Sequence, residues 1–296
     1  MPTPRVIEVS VPASSANLGP GFDSLGLALG FRDVVRVEVA DRLEITVEGS
    51  GSGDVALDET HLVHRALAAT FEQLGRPVPP VRLSCRNRIP HGRGLGSSSA
   101  AIVAGIVAAR ALVPGGSLVL DDRAALDLAG RLEGHADNVA PALLGGFTVA
   151  YETADGYHAT QLAVDPRIRV VVLVPAEAVK TTAARALLPA QVPHRDAARN
   201  AGRAALLVAA LTGRPELLMD ATEDALHQDY RRPAMPGTCD LVTRLRAQGV
   251  PAVISGAGPS VLAFVGERDV EQVAALAPVG WEPLALAVDL DGAQVC

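Results

Sequence analysis

The chain has 296 residues, enough for one large domain or two ordinary ones, because a single core stops growing at about 250 to 300 residues. With 49% hydrophobic and 3% aromatic residues, the composition excludes a disordered chain and predicts a core of Ala, Val and Leu. The formal net charge of −7 argues against a protein that binds nucleic acids or anionic membranes, since both partners are negatively charged, and it favours a small-molecule partner.

Apolar and polar residues alternate with a period of two in the first third of the chain, which is typical of half-buried strands. We expect a mixed or antiparallel sheet with strands at residues 5–11, 34–40, 43–49 and 81–89. Between them, residues 58–75 carry apolar residues on one helical face, with Asp58 as the expected N-cap and Gly75 as the stop. One helix should therefore pack on this sheet.

A small polar loop, PHGRGLGSSSA at residues 90–100, follows the last of these strands. Residues 98–113 are apolar almost all round, which predicts a helix buried in the middle of the protein. A further helix is predicted at 121–134 and a strand at 145–152. We expect the first domain to end near residue 165, so that it spans residues 1–165.

The second part of the chain, residues 166–296, has a different order of elements. Strands are predicted at 168–174, 250–254, 260–265 and 283–289, and helices at 180–229, 238–248 and 267–277. With the extra helices treated as insertions, this is the β-α-β-β-α-β order of a ferredoxin-like domain. The pattern predicts a two-lobed α+β protein.

The glycine loop opens the buried helix, and this arrangement suits a phosphate group. Backbone N–H groups at a helix N-terminus have no intrahelical partner, and the helix dipole adds positive potential there. We expect the absent side chains of Gly94 and Gly96 to let phosphate oxygens approach, while the serines at 97–99 offer hydroxyls to phosphate or Mg²⁺. The loop by itself is also compatible with a capped helix that has a flexible entry.

Two better-known phosphate-binding loops are disfavoured. A Walker A loop requires a lysine after its second glycine, and Lys180 is the only lysine of the chain. A Rossmann fingerprint would need a glycine where Ser99 stands, and Pro90 interrupts the junction between strand and turn. The loop therefore belongs to neither class.

Three further stretches complete a pattern with this loop: PASSANLGPGFDSLGLAL at 12–29, EGHADNVAPALLGGF at 133–147 and SGAGPSVLAF at 255–264. In order and spacing they resemble the motifs of the homoserine kinases, a family within the GHMP kinase superfamily. The resemblance covers nearly the whole chain. It implies an N-terminal lobe like domain 2 of ribosomal protein S5, a ferredoxin-like C-terminal lobe, and ATP in the cleft between them.

The resemblance also implies a reaction, in which the γ-phosphoryl group of ATP is transferred, with Mg²⁺, to the side-chain hydroxyl of L-homoserine. The product would be O-phospho-L-homoserine, on the way to threonine. The implied ATP-binding residues are those of the glycine loop: Pro90, His91, Gly92, Arg93, Gly94, Leu95, Gly96, Ser97, Ser98, Ser99 and Ala100.

The implied substrate-binding residues are Asn17, Asp23, His135, Thr181, Arg185 and Arg231. Asp23 suits the substrate ammonium by its charge. Two arginines suit the substrate carboxylate, because a guanidinium donates paired N–H groups. Thr181 and Arg185 match the T-x-x-A-R segment of the family, and Arg231 matches an arginine five residues before a proline.

The implied catalytic residues are His135, Asp137 and Asn138 of the HADN motif. Some relatives in the superfamily use an aspartate base that is supported by a lysine of the first motif, and residues 11–19 contain no lysine. Phosphoryl transfer depends mainly on positioning and charge neutralisation, so no strong base is required. Asp137 is left as either a weak base or an organiser of the hydroxyl together with Asn138.

We expect Ser98 and Glu133 to hold the Mg²⁺. In several relatives the metal-binding glutamate precedes the HADN aspartate by about ten residues, where this chain has Asp127, whereas Glu133 precedes Asp137 by four. Glu133 is favoured because a helix that ends at this point could still deliver its carboxylate to the cleft. Asp127 is the alternative on spacing.

Two other functions are compatible with the sequence, namely a related kinase acting on mevalonate, shikimate or a sugar, and an ATP-binding module without catalysis. Three cysteines without metal-like spacing indicate a reducing compartment. The first residues form no apolar signal segment, and the longest apolar run is about half of a bilayer span, so we expect a cytoplasmic protein. The sequence leaves the oligomeric state open, a homodimer included.

Overall fold

The computed structural model describes residues 6–179 and 181–296. Lys180 and the first residue of the first predicted strand, Arg5, lie outside the described residues. The strands are β1 Val6–Ala16, β2 Leu25–Val39, β3 Glu44–Gly49, β4 Val81–Asn87, β5 Phe147–Thr153, β6 Gly156–Leu162, β7 Arg169–Pro175, β8 Ala252–Ile254, β9 Val261–Val265, β10 Trp281–Leu286 and β11 Gln294–Val295.

The α-helices are α1 Leu62–Gln73, α2 Ser97–Leu112, α3 Gly116–Val119, α4 Asp122–Glu133, α5 Val139–Leu144, α6 Thr181–Arg185, α7 His194–Gly213, α8 Leu218–Ala221, α9 Pro236–Ala247 and α10 Val270–Ala274. Short 3₁₀ turns lie at Pro215–Leu217, Asp229–Arg231 and Glu267–Asp269. Strands and helices thus form the mixed α+β architecture that the sequence predicts.

The first sheet has seven strands, and its long strand β2 holds it together. Its order is β11-β1-β2-β4-β3, with β5 paired to β2 and β6 paired to β5. The β3–β4 pair is parallel and the other pairs are antiparallel, so the expectation of a mixed sheet is confirmed. The first residues of β2 pair with β5 and its last residues with β4, so β2 connects the two parts of the sheet.

Helix α2 is the central helix of the first lobe, and most of its residues are buried, as the apolar sequence predicts. It packs on α1 and lies against β1 of the sheet. Helix α1 begins at Leu62, not near Asp58 as expected, and its N-cap position is His61. The Asp58 carboxylate instead accepts hydrogen bonds from the backbone N–H and the hydroxyl of Thr60, which closes a local turn before the helix.

The second sheet has four strands in the order β10-β7-β9-β8, all antiparallel. The chain order is β7, helices α6 to α9, β8, β9, α10 and β10, which confirms the ferredoxin-like order predicted for this lobe. The sheet is nearly fully buried along β7, β8 and β9.

The chain crosses from the first sheet to the second between β6 and β7, and its last residues return. Strand β11 pairs with β1 of the first sheet, and the carboxylate of Asp289 forms an ion pair with Arg32. We propose a division into residues 1–165 and 166–296, with this C-terminal segment packed back on the first lobe. In the two described stretches, no helix combines the length and the apolar character needed to cross a bilayer.

Candidate active site

A cavity of about 210 Å³ between the two lobes brings together most of the residues that the motifs single out. Its walls come from the turn after β1, the glycine loop, the segment between α4 and α5, helix α6 and the turn before β9. The predicted site residues that line it are Asn17, Asp23, Gly92, Gly94, Leu95, Gly96, Ser97, Ser98, Glu133, His135, Asp137, Asn138, Thr181, Arg185 and Arg231.

The glycine loop adopts a conformation that requires its glycines. Gly94 and Gly96 have φ angles of 70° and 69°, in the left-handed region. A Cβ on Gly94 would lie 2.2 Å from the Ser255 carbonyl oxygen, and a Cβ on Gly96 would lie 2.1 Å from Ser14 Oγ. The missing side chains thus make room for neighbouring protein segments, which is a different reason from the phosphate approach expected from the sequence.

The loop leads directly into α2. Within the described residues, no side chain caps the first N–H groups of this helix. Gly96 is the N-cap residue, and the first turn carries the three serines. Such N–H groups and the dipole of a 16-residue helix attract an anion. This end of α2 therefore fits a phosphate group.

Arg93 fixes the loop to the second lobe. Its guanidinium donates to the carbonyl oxygens of His91 at 2.7 Å and of Pro175 at 3.3 Å, and also to that of Ala176. The Val179 N–H donates to the Gly92 carbonyl oxygen at 3.0 Å. Of the predicted ATP-binding residues, Pro90, Arg93 and Ser99 line neither this cavity nor the neighbouring one described below.

Glu133 and Ser98 meet at the edge of the cavity, whereas Asp127 lies elsewhere. The Glu133 carboxylate accepts hydrogen bonds from the hydroxyls of Ser98 and, at 3.0 Å, of Ser99. Asp127 instead pairs with Arg131 at 2.7 Å and accepts the Tyr157 N–H at 3.1 Å, and it does not line the cavity.

This oxygen donor set fits Mg²⁺, which usually takes one or two carboxylates and completes its shell with phosphates and water. No cluster of three or more His, Cys, Asp or Glu side chains suitable for a metal occurs within residues 6–179 and 181–296. A cation here would therefore depend on nucleotide oxygens for most of its ligands.

His135 and Asp137 form a hydrogen-bonded pair at the floor of the cavity. His135 Nδ1 lies 2.6 Å from Asp137 Oδ1, and Asp137 is only 2% exposed. The hydrogen bond to Asp137 raises the pKa of His135, with nearby Glu133 and Asp23 adding to the shift and burial opposing it. A protonated His135 thus partly neutralises the buried Asp137 carboxylate.

Asn17 and Asp23 lie in a tight turn between β1 and β2. Asn17, Leu18 and Asp23 have φ angles of 68°, 50° and 55°, which non-glycine residues rarely adopt. The Asn17 side chain holds the turn, because its Oδ1 accepts the Asp23 N–H and its Nδ2 donates to the Gly256 carbonyl oxygen, each at 2.9 Å. Unusual backbone conformations of this kind concentrate at functional sites.

Two arginines reach the cavity with different partners. Arg185 forms an ion pair with both carboxylate oxygens of Asp23 and is about 42% exposed. Arg231 is 2% exposed, donates to the Gly256 carbonyl oxygen at 2.8 Å, and leaves its Nε without a hydrogen-bond partner among the described residues. Burial, with Arg185 nearby, lowers the pKa of Arg231.

A buried guanidinium without an ion-pair partner in the described part of the chain favours an anionic ligand. The ring of Phe22 lies 5.5 Å from the Arg185 guanidinium carbon and 5.9 Å from that of Arg231. This end of the cavity, with two cations and one anion around an aromatic ring, fits a small zwitterion.

A second, mainly apolar cavity of about 340 Å³ adjoins the glycine loop. It shares Ser97 and Ser98 with the first cavity, and its other walls include His91, Ala100 and residues of β2, β4 and the segment before α1. Of its lining residues, the motifs indicated only those of the glycine loop, because the others are spread over segments of ordinary strand, loop and helix sequence.

Two titratable residues missed by the sequence reasoning line this second cavity. Burial raises the pKa of Asp33 to about 6, although its Oδ1 accepts the N–H groups of Arg88 and Ile89 at 2.6 and 2.8 Å. Burial lowers the pKa of His61, whose Nδ1 is buried without a hydrogen-bond partner among the described residues.

The chain matches two family models and is similar to named relatives over nearly its whole length. The family models that match are GHMP kinases N terminal domain, over residues 61–146, and GHMP kinases C terminal, over residues 195–276. A Streptomyces avermitilis protein named homoserine kinase is 57% identical over 290 residues, 98% of this chain and 95% of the relative. A homoserine kinase of Leifsonia xyli subsp. xyli is 52% identical over 298 residues, 98% of this chain and 92% of the relative.

Among solved structures, too, the chain is similar to proteins named homoserine kinase. A homoserine kinase from Cytophaga hutchinsonii superimposes with a TM-score of 0.86 at 27% identity, covering 98% of this chain and 97% of the other. A putative homoserine kinase from Listeria monocytogenes gives 0.80 at 30% identity, with 98% and 99% covered. A mevalonate diphosphate decarboxylase from Staphylococcus aureus, at 14% identity and a TM-score of 0.67, covers 99% and 98% and shares the fold alone.

Proposed function

The chain belongs to the GHMP kinase family, and we propose on this premise that it phosphorylates the side-chain hydroxyl of L-homoserine with ATP. The product is O-phospho-L-homoserine, an intermediate of threonine biosynthesis. One observation carries the assignment to this chain: the 210 Å³ cavity combines a phosphate-binding helix end with the charges that fit an α-amino acid. A kinase for an uncharged sugar would need no such charges.

ATP fits across the two adjoining cavities. Its triphosphate lies against the glycine loop and the N-terminus of α2, and its base enters the apolar 340 Å³ cavity next to Ser97 and Ser98. Ser98 and Glu133 hold Mg²⁺ together with the phosphate oxygens. The metal supplies neutralisation of the charge on the β- and γ-phosphates.

The amino acid lies at the other end of the 210 Å³ cavity. Arg231 and Arg185 bind its carboxylate, Asp23 faces its ammonium, and Asn17 keeps the Asp23 backbone in place. Thr181, the first residue of α6, lies on the wall beside Arg185. In this arrangement the side chain of homoserine extends toward the glycine loop.

His135, Asp137 and Asn138 act on the reacting hydroxyl. Asp137 Oδ1 is occupied by His135 Nδ1 at 2.6 Å, so the pair orients the hydroxyl oxygen and accepts its proton only as the phosphoryl group arrives. Since phosphoryl transfer requires mainly positioning and charge stabilisation, this weak acceptor is sufficient.

We place the reaction in the cytoplasm. The reason is that Cys85, Cys239 and Cys296 are free thiols, and Cys85 and Cys239 are buried, as suits a reducing compartment.

The test is ADP release by the full chain with Mg²⁺-ATP against a panel of L-homoserine, mevalonate, shikimate and galactose. We expect turnover with L-homoserine and formation of O-phospho-L-homoserine, observed by ³¹P NMR. Turnover with another member of the panel would refute the substrate assignment. ATP binding without turnover of any member of the panel would indicate an ATP-binding module and not an enzyme.

A further inference from the structure

Ser14 is a fully buried serine of β1 that lies within the motif stretch 12–29 but has no role among the site residues assigned above. Its hydroxyl donates to Asn138 Oδ1 at 2.9 Å, between residues that are 124 positions apart in the sequence. Its backbone N–H donates to the Leu95 carbonyl oxygen of the glycine loop at 3.1 Å. Ser14 thus lies where β1, the glycine loop and the start of α5 meet.

The packing around this hydrogen bond is close. A Cβ on Gly96 would lie 2.1 Å from Ser14 Oγ and 3.1 Å from Asn138 Oδ1. Gly96 of the glycine loop therefore lies next to the pair, and a side chain at this position would collide with the Ser14 hydroxyl.

The hydrogen bond decides which end of the Asn138 carboxamide faces the cavity. A serine hydroxyl has one proton, and Asn138 Oδ1 is the acceptor for that of Ser14. If the carboxamide were turned over, its NH₂ group would face Ser14 Oγ and the Ser14 proton would lose this acceptor; a buried donor left unpaired costs about 1–3 kcal/mol. Asn138 lines the cavity, and its Nδ2 has no hydrogen-bond partner among the described residues.

We propose that Ser14 is a positioning residue for phosphoryl transfer, which holds Asn138 Oδ1 so that the Asn138 NH₂ group faces the reacting oxygens as a hydrogen-bond donor. The proposal rests on the proposed function. A fixed donor stabilises negative charge on the attacking oxygen and the transferred phosphoryl group, whereas a carbonyl oxygen at the same place would repel it. Asn138 therefore acts as a donor and not as a base.

A double-mutant cycle tests this coupling on the full chain. Ser14→Ala should lower kcat about fivefold to twentyfold and leave the KM values of ATP and homoserine within about twofold, because only the transition-state donor is affected. In the Asn138→Ala background, Ser14→Ala should change kcat by less than about twofold. An equal effect of Ser14→Ala in both backgrounds would overturn the proposal.

Ser15 provides a matched control. It is the adjacent buried serine of β1, but its hydroxyl pairs with Ser255 Oγ at 2.8 Å and not with Asn138. Whatever effect Ser15→Ala has on kcat should be the same with Asn138 or Ala at position 138, since Ser15 does not act through Asn138. Loss of that additivity would show that changes anywhere in β1 reach Asn138, and it would remove the special role of Ser14.

A second measurement does not depend on whether the Ser14→Ala variant folds. Asn138→Asp keeps the acceptor for Ser14 and replaces the donor by an anion, so its kcat should fall below that of Asn138→Ala. An Asn138→Asp variant as active as Asn138→Ala, or more active, would refute the donor role. Absence of homoserine turnover in the parental chain would instead refute the proposed function, so the two failures are distinguishable.

Discussion

Replacing Arg231 by methionine distinguishes the role of Arg231 in substrate binding from that of Arg185, the other arginine of the cavity. Arg231 is 2% exposed and has no carboxylate partner among the described residues, whereas Arg185 is about 42% exposed and already paired with Asp23. Methionine replaces the aliphatic part of the Arg231 side chain by an unbranched apolar chain and removes the charged guanidinium. The Gly256 carbonyl oxygen still accepts a hydrogen bond from Asn17 in this variant.

The expected effect on substrate binding is large. Removing one partner of a buried charge pair costs about 2–5 kcal/mol, and Arg185 can still hold part of the carboxylate, so we expect about 2–3.5 kcal/mol. This corresponds to an increase in the KM of homoserine of about thirtyfold to four-hundredfold. The KM of ATP should stay within about twofold. Arg185→Met should raise the KM of homoserine by only about threefold to tenfold, because its charge is partly screened by solvent.

The same variant should not lose stability in the absence of substrate. Burial lowers the pKa of Arg231, so the folded protein disfavours the charged guanidinium. Replacing an unpaired buried charge by an apolar side chain is often neutral or stabilising. We therefore expect the Tm of ligand-free Arg231→Met to equal or exceed that of the parent.

The assay is coupled ADP release at saturating ATP over a homoserine titration, with Tm from calorimetry on the same samples. The matched control is Arg232→Met, since Arg232 is the next residue but is about 45% exposed and pairs with Asp240. Its homoserine KM should be unchanged. A homoserine KM within about threefold of the parent in Arg231→Met, or an equal increase in Arg232→Met, would refute the carboxylate-binding role of Arg231.

Glu133→Gln should raise the Mg²⁺ concentration for half-maximal activity about tenfold or more, whereas Asp127→Asn should stay within about twofold; the opposite result would assign the metal to Asp127. In the folded protein the pKa of Asp33 is raised from 3.8 to about 6. Its contribution to folding stability is therefore complete below pH 3.8 and is lost as the pH rises through about 6. Between pH 4 and pH 7, the free energy of unfolding of Asp33→Asn, measured with denaturant, should thus increase by up to about 3 kcal/mol relative to that of the parent. A difference that does not depend on pH would contradict this. The hydrogen bond to Asp137 raises the pKa of His135 above 6.5, so its stabilisation is lost as pH rises through that pKa. The Tm advantage of the parent over His135→Gln should therefore shrink as the pH rises above 6.5, and a constant advantage would exclude this linkage.

Local patterns in the sequence were sufficient to predict the two lobes. Alternation with a period of two marks which side chains of a strand are buried, and this predicted β1, β3, β4 and the β-α-β-β-α-β order of the second lobe. The short strand β11 and the hairpin strand β6 were not predicted. Strand β11 has only two residues and is defined by pairing with β1, and the mostly half-buried β6 shows no alternation of buried and exposed residues.

Helix ends were less predictable than helix interiors. Asp58 has the side chain of an N-cap residue, but its carboxylate closes a turn with Thr60, and α1 begins only at Leu62. Asp121, by contrast, is the N-cap of α4, and its side chain accepts the Ala124 N–H at 2.9 Å. The same side-chain chemistry can cap a helix or a turn, so the sequence alone leaves the choice open.

The segments that carry the chemistry could be identified from the sequence, because the glycine loop, the HADN motif and the arginine segments are contiguous and keep their order and spacing. Tertiary structure alone decided which of their side chains meet. It placed Glu133 rather than Asp127 beside Ser98, and it buried Arg231 without a counter-ion among residues 6–179 and 181–296. It also joined Ser14 to Asn138 across 124 residues of chain. The physical reason is that periodicity and local propensity act over a few residues, whereas these contacts depend on how the whole sheet, α2 and the second lobe pack together.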